Sequence, residues 1–285
     1  IININTGEDV PIEPAHGKYK LVNKKSGKVL STVNGGLSNA VRICQYADGT
    51  VGNQAWCIEP VATTLGGDYS YHYIYNAKTS SNPFHLDDLD WSLDEGKEVI
   101  AYPGGGSGCE QWHIRYVGEG YYTIINRHSG LCLEVRDGST ADGANVVQMR
   151  VDEAAEQLWK LVPADHAVDA VAPSTPSGLT AAAQSGAIKL TWTANKESDA
   201  YGYMVYRYND LAGIWECVGR KVQGTIFLDN TCPKGKPLRY RIKALDDSYN
   251  LSEASEEVTA QTTVDNALVG QWIGLSLNDN TSNKL

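Results

Sequence analysis

The 285-residue sequence predicts an all-β protein in which a closed barrel built from three copies of one unit precedes a β-sandwich. Three observations point there. A pattern of turn residues and tryptophans recurs three times up to Trp159, and 28 glycines punctuate short alternating apolar runs. The aromatic residues are 16 tyrosines and 7 tryptophans, with Phe84 and Phe227 the only phenylalanines. Short alternating runs bounded by Gly, Asn and Asp are the signature of strands joined by turns.

The repeat is read from constant offsets. Asn23-Lys-Lys-Ser-Gly27 returns as Asn126-Arg-His-Ser-Gly130, an offset of 126 − 23 = 103, and the same offset carries Gln54-Ala55-Trp56 onto Gln157-Leu158-Trp159. It also carries Gln45 onto Gln148 and Asn34-Gly35 onto Asp137-Gly138. A middle unit lies between them. Trp112 precedes Trp159 by 159 − 112 = 47, which sets Leu86-Asp87 against Leu133-Glu134 and Gly96 against Gly143. Upstream the offset becomes 126 − 76 = 50, so this unit gains three residues in its first turn, near Ser80 to Pro83. Each unit opens on an alternating strand (Tyr19-Lys-Leu-Val22, Tyr71-His-Tyr-Ile-Tyr75, Tyr122-Thr-Ile-Ile125) and closes at a tryptophan. Units too small to bury a core alone fit a closed barrel with threefold pseudosymmetry. The three tryptophans and their Gln neighbours are expected in that core. The ladder Tyr69, Tyr71, Tyr73, Tyr75 is expected to pack the barrel, with its first members able to reach the surface.

The run Asn126-Arg-His-Ser-Gly-Leu-Cys-Leu-Glu-Val-Arg-Asp-Gly138, ending in Gln157-Leu-Trp159, resembles a repeat of the ricin-B lectin family, which overlaps the β-trefoil carbohydrate-binding modules of bacterial glycosidases. The resemblance covers residues 14–164, with units at about 14–62, 67–116 and 117–164, after a lead-in at 1–13. The middle unit departs from Q-x-W, reading Glu110-Gln111-Trp112.

Residues 165–172 are a linker within an Ala-, Asp- and Pro-rich stretch, and a second domain spans 173–262. Its strands include Ile188-Lys-Leu-Thr-Trp192, Gly202-Tyr-Met-Val-Tyr-Arg207, Thr225-Ile-Phe-Leu-Asp229 and Leu238-Arg-Tyr-Arg-Ile-Lys-Ala244. Such spacing argues for a β-sandwich. The set resembles a fibronectin type III domain, with Trp192 in its core and Tyr240 as the corner tyrosine. Residues 263–285, with Ala267-Leu-Val-Gly-Gln-Trp272, resemble the opening of a laminin-G-like domain. No initiator Met or signal peptide is present, so the chain is expected to be a processed or excised piece of a longer protein.

The lectin resemblance implies a shallow sugar pocket in each unit: an acid that accepts from sugar hydroxyls, an aromatic ring under the pyranose face, and an Asn or Gln beside Q-x-W. In the third unit these positions hold Glu134, Gln148, Arg150, Glu156 and Gln157, with Arg150 in place of the ring. The first unit keeps Gln45, Asn53 and Gln54 but has Ser31 for the acid and Ala47 for the ring. The middle unit keeps the acid as Asp87, has Ala101 and Pro103 at the Gln and ring positions, and offers Trp91 and Tyr102 as a substitute platform. No unit has the full set. Gln45 and Gln148 equally suit backbone groups within a turn.

The remaining chemistry is sparse. The stretch Asp87-Asp88-Leu89-Asp90 lacks the D-x-D-x-D-G spacing of a calcium loop and reads as an exposed acidic loop, so no metal site and no cofactor are expected. The six histidines show no ligand pairing and read as surface or barrel residues. The six cysteines form no C-x-x-C pair, which leaves disulfides or free buried thiols open. There is no G-x-S-x-G and no P-loop, and a non-catalytic segment is expected. A net charge of −10 opposes nucleic acid, and no apolar run approaches the roughly 20 residues that span a bilayer. The family implies a glycan partner containing galactose, arabinose or xylose, an extracellular, cell-surface or periplasmic location, and linked catalytic or surface domains. The alternative is an adhesion or scaffold protein whose trefoil is vestigial or binds protein.

Overall fold

A computed structural model describes residues 7, 9–11, 17–62, 67, 69–78 and 82–262. Its contacts divide the chain into two units. The first contains twelve strands in three sets of four: β1 Gly17–Asn23, β2 Val29–Thr32, β3 Val41–Tyr46 and β4 Trp56–Pro60; β5 Tyr71–Asn76, β6 Phe84–Asp88, β7 Val99–Pro103 and β8 Gln111–Gly118; β9 Tyr121–Asn126, β10 Cys132–Val135, β11 Val146–Met149 and β12 Trp159–Pro163.

The outer strands of each set close a six-stranded barrel. β1 pairs with β4, β4 with β5, β5 with β8, β8 with β9, β9 with β12, and β12 returns to β1. The inner strands form the hairpins β2–β3, β6–β7 and β10–β11. This is a β-trefoil.

The sequence offsets index its core directly. Leu21, Ile74 and Ile124 occupy one equivalent position; Leu30, Leu86 and Leu133 a second; Ile43, Val99 and Val146 a third; Ile58, Ile114 and Leu161 a fourth. Trp56, Trp112 and Trp159 complete the set, fully buried. Burial of an indole needs a partner for its N–H. Each Nε1 donates to the carbonyl of the leucine in the same unit: Leu30 at 3.0 Å, Leu86 at 2.9 Å and Leu133 at 3.0 Å.

A second threefold device joins successive units. Asn23 Nδ2 donates to Glu156 O, Asn76 Nδ2 to Asn53 O, and Asn126 Nδ2 to Cys109 O. Each Asn Oδ1 meanwhile accepts the amide two residues on, which forms an Asx turn. The opening turn of one unit therefore clamps the chain just before the closing strand of another.

The tyrosine ladder departs from expectation. Along β5 it is Ile74 that enters the core, while Tyr71, Tyr73 and Tyr75 are half-buried on the alternate face and Tyr69 is exposed. Side chains alternate along a strand, so one core residue sends its odd-numbered neighbours outward. Tyr75 OH donates to Glu59, and Arg127 lies over Tyr71. All six cysteines are free.

The second unit carries β13 Ser177–Gln184, β14 Ala187–Thr193, β15 Ala200–Asn209, β16 Ile214–Val222, β17 Ile226–Asp229, β18 Pro237–Asp246 and β19 Val258–Gln261. They form two sheets, β13-β14-β17 and β16-β15-β18-β19. Ile188, Leu190 and Trp192 from one meet Tyr203, Val205, Tyr240 and Ile242 from the other, a β-sandwich core. Tyr240 OH donates to the buried Asp229, which also pairs with Arg207 at 2.8 Å. The laminin-G-like stretch around Ala267 to Trp272 and the inserted turn at Ser80 lie outside the described residues.

Candidate functional site

The glutamines of the repeat are committed to the scaffold. Gln54 Oε1 accepts Gly49 N at 2.8 Å and its Nε2 donates to Ala47 O at 3.0 Å. Gln157 Oε1 accepts Asp152 N and Glu153 N, while its Nε2 donates to Arg150 O and to Glu134 Oε2, both at 2.8 Å. Glu110 takes this place in the middle unit and accepts Gly105 N and Gly106 N. Gln45 and Gln148 are buried and reach into other units. Gln45 Nε2 donates to Ser139 O and Ala141 O, and Gln148 Nε2 to Ser92 O and Asp94 O. With both amide hydrogens engaged, none of Gln45, Gln148 or Gln157 retains a donor for a sugar.

The first unit's pocket position is filled by its own chain. Ser31 Oγ donates to Gly52 O at 3.3 Å, and Asn53 Nδ2 donates to Gly35 O. A Cβ on Gly35 would stand 2.9 Å from the Gly52 backbone, so the two loops touch. Tyr46 OH is held by Asn34.

The third unit is open. Glu95, Gly96, Glu134, Arg136, Asp137, Val147 and Met149 line a depression of about 310 Å³. Glu134 sits half-buried on its wall, oriented by the Gln157 amide. Burial raises its pKa above the usual carboxylate value against that hydrogen bond, and Glu156, Asp152 and Asp137 push the same way. Arg136 is fixed by Gly96 O at 3.0 Å. The site thus presents the Glu134 carboxylate, oriented by Gln157, and the Arg136 guanidinium beside the half-buried Met149 and over the buried Val147; hydroxyls find their polar partners there, with Met149 in place of an aromatic ring. Arg150 points into solvent and pairs with Glu95 at 2.9 Å, while Glu156 pairs with Lys25 at 3.4 Å.

The middle unit differs again. Asp87 and Asp88 are buried, at 7% and 1% exposure, which corrects the reading of this stretch as an exposed acidic loop at these two positions: both lie within β6, while Asp90, which pairs with Lys97, and the following Asp94 and Glu95 are exposed. Trp91 is 57% exposed and Tyr102 42%. Trp91 meets the His128 ring edge-on at 5.1 Å. Its φ of 54° lies in the left-handed region, at the position that the offsets assign to Gly35 (φ 64°) and Gly138 (φ 59°).

Glu95, Arg136, Asp137 and Met149 were not among the sequence-derived candidates. A signal existed for one of them: 149 − 103 = 46 and 149 − 47 = 102, so Met149 stands where the other units have Tyr46 and Tyr102. Glu95 comes from the middle unit, and the repeat of the third unit gives no hint of it.

Barrel, hairpins and repeated pocket position define a lectin-type β-trefoil. The chain belongs to the ricin-type β-trefoil lectin domain-like family, which it matches over residues 10–102 and 108–192. It is 33% identical over 96 residues to an amylopullulanase of Thermoanaerobacterium saccharolyticum, a match covering 34% of this chain and 7% of that protein, so the chain spans under a tenth of this relative's length. Among solved structures, a designed threefold-symmetric protein, ThreeFoil, shares 34% identity over 50% of this chain and 96% of its own, with a TM-score of 0.45. An exo-β-1,3-galactanase from Clostridium thermocellum shares 37% identity over 51% of this chain and 30% of its own, with a TM-score of 0.46.

Proposed function

We propose that this chain is a non-catalytic carbohydrate-binding segment of a larger secreted or surface protein, and that its trefoil tethers that protein to a glycan through the third unit. The observation that carries this is the Glu134 carboxylate, held by Gln157 on an open depression beside Asp137, Glu95 and Arg136. A carboxylate fixed in this way accepts from two neighbouring sugar hydroxyls at little ordering cost. Membership of the lectin-like family and the match to part of an amylopullulanase support a place beside a glycan-processing domain. On this reading the second unit is a fibronectin type III-like spacer, the domains run over 14–164 and 173–262, and the location is extracellular, cell-surface or periplasmic.

One shallow pocket binds weakly, so affinity gels containing galactan, arabinan or xylan suit the test. Wild type is expected to be retarded by at least one of them, with Glu134→Ala losing the retardation and Glu134→Gln keeping part of it. No retardation in any gel, and no binding to soluble oligosaccharide at millimolar concentration, refutes the assignment in favour of a vestigial or protein-binding trefoil.

A further inference from the structure

In the middle unit the retained acid Asp87 is joined by two buried groups that glycan binding does not explain. Ligand atoms of Asp87, Asp88 and Cys109 all lie within 4.8 Å of one another, and all three residues are buried. Asp87 Oδ1 and both oxygens of Asp88 accept no hydrogen bond of full geometry, and the Trp91 and Ser92 amides and the Cys109 thiol nearby offset their burial only in part. Two buried carboxylates side by side, so weakly partnered, are costly and call for a further compensating group. The offsets sharpen the point. Asp88 occupies the position of Thr32 and Val135 in the other units (32 + 103 = 135, 135 − 47 = 88), where no charge is buried. Cys109 occupies the position of Asn53 and Glu156, and Asp87 that of Ser31 and Glu134. The acid of this unit's sugar-pocket position thus stands beside a buried carboxylate and a thiol that the other two units lack.

We infer that Asp87, Asp88 and Cys109 form a binding site for a thiophilic divalent cation of the zinc class. Calcium and magnesium demand six or more oxygen donors, whereas a thiolate with carboxylates suits zinc, whose structural and catalytic sites use three or four protein ligands. Metal–ligand bonds of about 2.0–2.3 Å place tetrahedral donors roughly 3.5 Å apart, so the cluster needs side-chain shifts of about 1 Å to close on one ion. Ser107 Oγ lies 2.8 Å from Cys109 Sγ and orients the thiol, and the Asn126 amide clamps the Cys109 carbonyl at 2.7 Å. Burial holds Cys109 as a neutral thiol, with a pKa pushed up to about 12. Cation binding releases that proton to solvent as the sulfur–metal bond forms.

The test uses the whole chain, stripped with chelator and titrated with Zn²⁺ alone. Thermal unfolding is expected to shift upward and saturate at one equivalent. Co²⁺ is expected to give a thiolate-to-cobalt charge-transfer band, absent from Cys109→Ser, and Asp88→Asn is expected to weaken Zn²⁺ binding by about tenfold or more. Asp88→Val imports the residue type of Val135 and serves where a polar variant folds poorly. It is expected to unfold at higher temperature than metal-free wild type and to lose the response to Zn²⁺. Absence of a saturable Zn²⁺ shift in wild type overturns the inference, as does a cobalt band that survives in Cys109→Ser. Glycan retardation in the Glu134 test is read separately, so either result stands without the other.

Discussion

Trp91 offers a test in which stability and binding separate. It stands at a glycine position of the repeat with φ 54°, and it is 57% exposed. A left-handed backbone costs a non-glycine residue about 1–2 kcal/mol, and strain of this kind collects at functional sites. The first unit has no room for a side chain there, and the third makes room only if two long side chains move. A Cβ on Gly138 would meet Lys25 Nζ and Glu156 Oε1, and one on Gly35 would strike Gly52. Trp91→Ala keeps the strained backbone and loses the edge-on contact with His128, about 0.5–1.5 kcal/mol. Trp91→Gly loses the same contact, relieves about 1–2 kcal/mol of strain, and costs about 0.5–1 kcal/mol through the greater freedom of unfolded glycine. The contact cancels between the variants. The glycine variant should therefore be the more stable by roughly 0.5–1 kcal/mol in urea unfolding followed by tryptophan fluorescence. If the ring is a sugar platform, both variants should also lose retardation on the glycan gel that holds wild type, by roughly two- to tenfold for a stacking contact of about 0.5–1.5 kcal/mol. Equal stability of the two variants refutes the strain argument, and unchanged retardation refutes the platform.

Two further outcomes follow from buried polar groups. Asn126→Ala removes the donor to Cys109 O and the acceptor for the His128 and Ser129 amides, so it should destabilise the chain by about 2–4 kcal/mol in urea unfolding. The metal-free chain should lose stability as pH rises from about 4 to 6, because burial, and for Asp87 also the charges of Glu110 and Asp88, raises Asp87 and Asp88 to about 6 in the folded state from the usual aspartate value of about 3.8. His128 and the backbone near Trp91 and Ser92 hold Asp88 back only in part. Folded protein then carries more protons than unfolded protein across that window. The contribution is neutral below it and fully unfavourable above it, at most about 3 kcal/mol per carboxylate (2.2 × 1.36). Urea midpoints measured at pH 4, 5, 6 and 7 should show the fall, and Asp88→Val should reduce it.

The core was legible because repeat arithmetic acts as a coordinate system. An offset of 103 or 47 that aligns Trp56, Trp112 and Trp159 also aligns the leucines whose carbonyls they bind and the asparagines that clamp the units. Orientation was less legible. Four alternating tyrosines in β5 have the composition of a core face, yet one isoleucine takes that face and sends them outward. The open depression was hidden for another reason: Glu95 and Glu134 are neighbours only across two units, and pairing between units is not written in either repeat. The burial of Asp88 was missed because acidic composition reads as solvated surface. Its alignment with Val135 was the available signal.

The three pocket positions show how a threefold scaffold lets sites diverge. Stability resides in the triplets of core side chains and the indole and Asn clamps, which each unit retains, so the pocket positions above them can differ from unit to unit. In the first unit Gly52 and Asn53 close over Ser31 and the pocket is gone. In the third, the Gln157 amide has been turned toward Glu134 and leaves an open, acid-lined depression. In the middle, the same two places hold Asp87 and Cys109 with a third group, Asp88, buried beside them where another unit has a valine. A charge in place of a valine works against folding, whereas closure of the first pocket does not. The buried acidic pair is the one of these three arrangements that the inferred cation would stabilise.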